Sequence, residues 1–545
     1  MLPRRLSFAQ VFADTVNRYP DSEAFVASGV RVTWRSLDNK VQRTAAALWK
    51  LGVRKGDHVG VMLGNSVQWL QTFFACASIG AVTVPINTRF RTEELAFCLA
   101  QADVKALVMT DRFLGIDFTE LLTSIEPAIN SCLPGQKLPI LRHVLMFDAQ
   151  VVPAGASNFD LLISRVGDSA LNAFRNGREI VSPDDVLLIQ YTSGTTSFPK
   201  GVMLSHDNML SDAFAVAQRM GVRAEDRYFS IRPFFHVAGT TLSILVSLST
   251  GCCLLTLPRF DVDETLAVLH EEKCTLTSGN DTIFLMLLGH ESFDASKLHL
   301  RGGWAAAGPE VMQKIHDHMR IPYLCNAYGL SEASPNVVMS SWEDDLSLRV
   351  NGLALPHQGV QVRIADESSG SIQSVGMPGE IQVKGWSVMR GYYNMADSTK
   401  KAFTADGWLK TGDLGVLNAE GRLKMVGRLK DMFRVGGENV APTEVEGFIL
   451  MNEAIELVQV VGVPDERLGE VPAAFVVLKK GFQCTPEDLI VWCKSRISNF
   501  KVPRYVQVIE NFDAIGMTGS SKVQKNKLRT YAIEAFGLDS SEAVK

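Results

Sequence analysis

No stretch of this chain is both long enough and apolar enough to cross a bilayer as a helix. The nearest, Leu242 to Leu257, is broken by Ser, Thr and Gly and falls short of the roughly 20 residues a span requires, so it reads as buried core or pocket wall. Cysteine pairs at metal spacing are also missing. There are nine cysteines, an odd number, with no C-x-x-C and with Cys252 beside Cys253, which excludes a disulfide framework or a zinc site of ordinary spacing. They read as reduced, mostly buried thiols in a cytoplasmic compartment. There is no excess of positive charge: the formal net charge is -5, so nucleic acid is not expected as a partner and any polyanionic ligand must be met by local basic groups. The opening MLPRRLSFAQVF lacks the apolar core of a secretory signal, AVK at the end is not a peroxisomal tripeptide, and no repeat occurs at solenoid periods.

What is present is a long chain of globular composition. With 545 residues, 46% hydrophobic and 21% charged, it is too large for one ordinary core and is expected to divide into at least two domains. Ser36 to Leu51 has helical apolar spacing, with Ser36 as cap and Gly52 as stop. Lys55 to Leu63 alternates like a strand, Ser66 to Ile79 is helical, and Ala81 to Pro85 resumes a strand, an order that predicts a mixed or parallel sheet. Between Leu114 and Gly177 turn residues dominate, and connections and peripheral helices are expected. A helix capped by Ser205 or Asp207 is predicted through Met220. Near the end, Leu457 to Val463 and Ala473 to Leu478 predict strands, and Pro486 to Ile497 a helix.

The most informative stretch is YTSGTTSFPKG, Tyr191 to Gly201, which follows the strand-like run Val186 to Gln190. Gly194 is free to adopt backbone angles closed to other residues. Thr192, Ser193, Thr195, Thr196 and Ser197 supply hydroxyl donors around it, and Lys200 supplies a full charge, a combination suited to the phosphates of ATP. A solvated Ser/Thr-rich turn is the plainer alternative, but turns seldom carry so many donors with a Pro-Lys-Gly close. The spacing differs from the common phosphate loop, because Pro199 precedes the lysine and no Ser or Thr follows it.

Further motifs carry matching chemistry. In PFFHVAG, Pro233 to Gly239, His236 sits among aromatic and small residues, where it is either a core histidine or a site residue. AAAGPE, with Gly308, and NAYGLSEAS, with Asn326, Tyr328, Ser331 and Glu332, combine small residues that admit a flat purine, a ring to stack on it, an amide for its edge and a hard oxygen for magnesium. Asp413 in WLKTGDLG can accept both hydroxyls of a ribose, although an exposed turn aspartate is the simpler reading. Asn280 and Asp281 in SGNDTI either make a turn or face a pocket, where they would favour a substrate bearing a distant oxygen. GRLKD, with Arg428 and Lys430, and MTGSSKVQKNKLR, Met517 to Arg529, complete the set.

Together these motifs, spread over nearly the whole chain, resemble the adenylate-forming superfamily of acyl-CoA synthetases, firefly-type luciferases and peptide-synthetase adenylation domains. The resemblance implies an α/β fold: a large N-terminal domain of mixed α/β layers at 1–429, and a small, mobile α+β C-terminal domain at 430–545 turning on a hinge at Lys430. It further implies that Lys522 is the catalytic lysine, although a basic solvated helix face of Lys522, Lys525, Lys527 and Arg529 is the plainer alternative. It implies that His236 stands at the mouth of the acyl pocket, that Arg428 is a ribose and phosphate contact, and that Gly436 and Gly437 let a pantetheine arm pass. Phe235 is followed by His236 where amino-acid-activating relatives place aspartate, which argues against an amino-acid substrate. Departures from the family pattern are Ser197 and Ser521 in place of glycines, Gly516 where a proline is common nearby, and Ser331 in place of threonine.

The expected activity is thus ligation of a carboxylic acid to CoA through an acyl-adenylate, with ATP, Mg2+ and CoA as cofactor and co-substrates. The acid is expected to be a medium- or long-chain fatty acid or a bulky alicyclic one. An enzyme that loads a carrier protein and a silent nucleotide or acyl binder are the alternatives. A homodimer is compatible with the sequence.

Overall fold

The structure, a computed structural model, describes residues 5–192, 199–513, 515–516 and 523–538. Ser193, Gly194, Thr195, Thr196, Ser197, Ser521 and Lys522 lie outside the described residues.

Among the described residues, two eight-stranded sheets, a four-stranded sheet and a two-stranded one, Arg112–Phe113 with Ile116–Asp117, form the large N-terminal part. In the first sheet, Asn336–Met339, Tyr323–Gly329, Gly302–Ala306, Leu276–Asn280, Arg227–Ser230, Cys253–Leu255, Glu23–Ala27 and Val30–Thr33 lie side by side, parallel except at the two edges. In the second, the order is Gly391–Tyr392, Lys200–Ser205, Val186–Thr192, Val82–Pro85, His58–Met62, Val104–Met109, His143–Met146 and Ser157–Asn158. Helices intervene between most of its parallel strands, whereas His143–Met146 passes to its parallel neighbour Ser157–Asn158 without one. The third sheet, Val360–Ala365, Gly379–Gly385, Leu409–Leu417 and Leu423–Arg428, is antiparallel throughout.

Helices fill the space between the two large sheets. Val67–Ile79 starts where Ser66 accepts a hydrogen bond from the Trp69 amide at 3.2 Å, and stops at Gly80, whose φ of +84° is left-handed. Every residue of it except Gln68 is buried, because it is packed between the strands His58–Met62 and Val82–Pro85 and neighbouring helices. Phe73 and Phe74 pack there against Phe8 and Trp69, and cutting either ring back to Ala would cost about 3–5 kcal/mol. The cap of Trp34–Lys50 lies three residues before the predicted one: Thr33, not Ser36, is the N-cap and accepts the Ser36 amide. Gly52 at φ +86° follows its end. His206–Met220 starts on a reciprocal pair, with Ser205 accepting from the Asn208 amide and Asn208 from that of Ser205.

The small C-terminal part begins after the chain leaves the third sheet at Arg428 and passes a 3-10 turn, Leu429–Asp431. Its sheet pairs Glu438–Val440 with Phe433–Val435, and Gly469–Leu478 with Ile455–Asp465 and Tyr505–Val508; Pro486–Lys494 and Lys525–Ala535 are its longer helices. It rests on the back of the first sheet in one continuous apolar cluster that includes Phe284, Val311, Phe433 and Phe475. Lys314 Nζ donates across this junction to the Leu450 carbonyl at 2.7 Å.

Candidate active site

The strands on either side of the expected phosphate motif pair with each other. Thr192 is the last residue of Val186–Thr192 and pairs with Lys200, the first of Lys200–Ser205, in antiparallel register. The short strand Gly391–Tyr392 then pairs with Met203 and Val202, which brings the Tyr392 ring beneath the ammonium of Lys200, 5.1 Å from its centroid. The Tyr392 hydroxyl donates to Oε1 of Glu332 at 2.9 Å, and the Glu332 carbonyl accepts the Met389 amide at 2.9 Å. Burial, and the Glu332 carboxylate beside it, push the Tyr392 phenol far above its usual range. Lys200 and Glu332, remote in sequence, thus meet at one ring. Tyr392 was not foreseen, because a two-residue strand leaves no periodic signal.

The two segments expected to receive adenine also converge. Ala306 ends one strand, Gly308 caps the following helix Pro309–Lys314, and Asn326 on the neighbouring strand donates from Nδ2 to the Ala307 carbonyl at 2.9 Å. The two motifs therefore hold each other in register. Two residues on, Tyr328 donates its hydroxyl to Oδ2 of Asp413 at 2.8 Å, while Arg428 Nε lies 3.4 Å from Oδ1 across a directly paired register. Asp413 is 5% exposed, so it is not a solvent-facing turn residue. Burial and the adjacent Asp413 charge hold the Tyr328 phenol well above its ordinary value. Ser331 and Glu332 share the 3-10 turn Ser331–Ala333.

His236, expected at the acyl pocket, starts the helical tract Val237 to Thr250, where its Nδ1 accepts the Ala238 amide at 3.1 Å. The tract includes a π-helical stretch, Thr240–Leu245, whose residues are all buried, in agreement with a core or pocket wall. Gln190, on the phosphate-hairpin strand, donates to the Phe235 carbonyl at 3.0 Å and so ties the hairpin to the His236 segment. Asn280 and Asp281 do not form a turn. Asn280 ends a parallel strand and caps the helix Asp281–Gly289 by accepting the Ile283 amide at 3.2 Å, and Asp281 Oδ1 accepts the Gly308 amide at 3.2 Å.

In the small part, Gly436 and Gly437 make an exposed hairpin turn with φ of +58° and +95°. Left-handed angles at two successive positions explain the glycine pair. Lys430 lies in the connecting 3-10 turn. The basic helix face is not simply solvated: Lys525 pairs with Glu446 and donates to the Val460 carbonyl at 2.7 Å, and Arg529 lies 2.6 Å from Glu470. Lys522 lies just before this helix, outside the described residues.

Among the described residues no group of three or more His, Cys, Asp or Glu side chains is placed to hold a metal ion, and no helix is long and apolar enough to cross a membrane. A single carboxylate near a phosphate site nevertheless suits magnesium, which keeps several waters and takes phosphate oxygens as ligands. Glu332 fits that donor set.

A family model described as AMP-binding enzyme matches residues 12–393, and one described as AMP-binding enzyme C-terminal domain matches 444–522. The chain is 38% identical to a putative acyl-CoA synthetase of Bacillus subtilis, over 98% of this chain and 99% of that one. It is 36% identical to a ligase of Rhodococcus jostii that joins CoA to a methyl-dioxo-octahydroindenyl propanoic acid, covering 92% and 95%. A mitochondrial medium-chain acyl-CoA ligase of Bos taurus is 34% identical, covering 94% and 86%. Among solved structures, ATP-bound MatB of Rhodopseudomonas palustris superposes with a TM-score of 0.82 at 25% identity, over 97% of this chain and 99% of the other. The mixed α/β architecture with its small C-terminal part is therefore that of the adenylate-forming enzymes.

Proposed function

This chain belongs to the family of AMP-binding enzymes and is an AMP-forming acyl-CoA ligase, and from that premise we propose how its residues divide the work and what it acts on. A carboxylate oxygen of the acid attacks the α-phosphorus of ATP, the bond to the β-phosphate oxygen breaks, and pyrophosphate leaves with its electrons. The thiol of CoA then attacks the acyl carbon, loses its proton, and expels AMP. Both reactants in the first step are anions, so the protein's contribution is alignment and neutralisation of charge.

The phosphate hairpin, Thr192 to Lys200, holds the β- and γ-phosphates through Ser193, Gly194, Thr195, Thr196 and Lys200. Asn326, Gly308 and Tyr328 receive the adenine, and Asp413 with Arg428 the ribose. His236 positions the acid, and Lys522 bridges its carboxylate and the α-phosphate. Glu332 would hold a magnesium ion, with Ser331 beside it; when bound, that ion neutralises phosphate charge. Gly436 and Gly437 form the passage for pantetheine. Lys430 is the pivot, so that the units 1–429 and 430–545 rotate between adenylation and thioester formation.

The observation that carries this reading is the meeting of Lys200 and Glu332 at the Tyr392 ring, since it gathers the cation and the carboxylate a Mg-nucleotide needs from three separate segments. The buried wall Val237 to Leu248 supports a medium- or long-chain fatty acid or a bulky alicyclic acid, in line with what the named relatives act on. A place in fatty acid metabolism follows. We also infer a cytoplasmic location, supported by cysteines that are mostly buried, with burial pushing Cys76 and Cys325 up to about 12, and a homodimer as its assembly.

The test is mass-spectrometric detection of acyl-CoA, AMP and pyrophosphate across a panel of carboxylic acids with MgATP and CoA. A thioester accompanied by AMP is the expected product. Pyrophosphate release without thioester would point instead to a carrier-protein acceptor, and no ATP turnover with any acid would sink the catalytic reading.

A further inference from the structure

Four residues before His236, at the end of the strand Arg227–Ser230, Arg232 is only 4% exposed. Its Nε and Nη1 have no hydrogen-bond partner, and no carboxylate faces it among the described residues. Burial lowers its guanidinium to about 10, which leaves it charged at neutral pH. Its guanidinium lies over the face of Trp304, 5.7 Å from the ring centroid, with the Tyr228 phenol nearby. A ring face attracts the charge but offers no acceptor for the N–H groups. Buried charges are ordinarily paired, so this arrangement lacks a partner that something else must bring.

The position says where that partner comes from. Ser230, Ser278 and Trp304 are directly aligned on three adjacent parallel strands, and Arg232 lies beyond the C-terminal end of the first, reaching toward the third. Ligands of open parallel sheets bind beyond such strand ends. The neighbourhood is polar although sealed. The Ser278 hydroxyl donates to Ser230 at 3.1 Å, Ser230 and Ser243 share a bond of 2.7 Å, and Trp304 donates to the Tyr228 hydroxyl at 2.8 Å. Tyr228 in turn donates to the carbonyl of Leu242, on the wall assigned to the acyl chain. Asn65 holds the Arg232 carbonyl at 3.1 Å and accepts the Phe234 amide at 2.8 Å, so the backbone carrying the guanidinium is fixed.

We propose that Arg232 is a specificity-determining residue that recognises an acceptor oxygen, a carboxylate or a ketone, at the end of the acid remote from the carboxyl group being activated. This rests on the ligase reading and narrows it: the preferred acid is oxygenated at its far end and not a plain alkyl chain. A buried guanidinium left unpaired penalises an alkyl terminus, and an oxygen placed against it removes the penalty.

The test compares octanoate, the methyl ketone acid of the same length and octanedioate, with the full-length wild type and with Arg232→Met and Arg232→Lys. Wild type is expected to form thioester from one or both oxygenated acids with a kcat/KM at least about tenfold above that for octanoate. Preference for octanedioate alone identifies a carboxylate as the acceptor, and preference for the ketone alone a carbonyl. Arg232→Met should lose the preference, and Arg232→Lys should retain part of it. A second readout needs no turnover: the preferred acid should raise the melting temperature of wild type and not that of Arg232→Met, while the unliganded Arg232→Met should melt no lower than wild type. Equal kcat/KM for all three acids in wild type, or an equal loss for all three in Arg232→Met, would overturn the inference while leaving the ligase reading intact. Failure of every acid to yield thioester, with the Arg232-dependent melting shift still present, would sink the ligase reading and leave the recognition standing.

Discussion

Replacing Tyr392 with Phe removes one hydroxyl and keeps the ring under the Lys200 ammonium. In the native protein that hydroxyl donates to Glu332 Oε1 at 2.9 Å from a side chain only 8% exposed. A hydrogen bond to a charged group contributes about 1.5–3 kcal/mol. Glu332 is half-buried, so water replaces part of the loss and the effect belongs at the lower end, about 1.5 kcal/mol or roughly tenfold. If Glu332 holds magnesium, the loss appears as a requirement for about tenfold more magnesium in ATP–pyrophosphate exchange, with a lowered rate at fixed metal. The thioester step, started from preformed acyl-adenylate and CoA, involves neither group and should be unchanged. Titrating magnesium in both half-reactions decides the matter. An unchanged magnesium dependence, or an equal loss in the two half-reactions, would refute the assignment of Glu332.

Three further outcomes are expected. Lys522→Ala should slow adenylation by about 10² to 10³ while slowing thioester formation from preformed adenylate far less, as rapid-quench measurement of each step would show. If Asp413 accepts the ribose hydroxyls as proposed, Asp413→Ala should raise the KM for ATP by roughly tenfold or more with the KM for CoA unaltered; steady-state kinetics with each substrate varied checks it. His206 is fully buried, accepts the Phe8 amide on Nδ1 at 3.2 Å, and is held by burial down to about 4. The unfolded chain takes up this proton near pH 6.5 and the folded one does not, so stability falls as pH drops from about 6.5 toward 4. Urea denaturation of His206→Gln should therefore show a smaller decline than wild type between pH 7 and pH 5, by on the order of 2 kcal/mol.

Features written in adjacent residues were legible before the structure. Ser66 starts the helix that runs to Ile79, and Ser205 starts His206–Met220, because capping is a contest between neighbouring groups. Features that depend on distant pairing were not. His143–Met146 is a strand only because Val104–Met109 lies beside it, and its four residues among turn formers carry no period of their own. The cap of Trp34–Lys50 was misplaced because Thr33 and Ser36 are both competent, and only the strand ending at Thr33 decides between them. In the site, motif chemistry named Glu332, Lys200, Tyr328 and Asp413 from the sequence. That the first two share Tyr392, and that Tyr328 bonds Asp413, followed from sheet register alone. Asn280 misled for a related reason: a turn former at a strand end is equally a helix cap, and the apolar run after it makes the cap.

The central claim is that the acid is activated by direct attack of its own carboxylate on the α-phosphorus of ATP. It is tested most directly by supplying an acid whose carboxyl group carries oxygen-18 and weighing the products of one turnover with CoA. The label lost from the acid is expected in AMP, with none in pyrophosphate. Label in inorganic phosphate together with ADP, or AMP free of label alongside acyl-CoA, would contradict it.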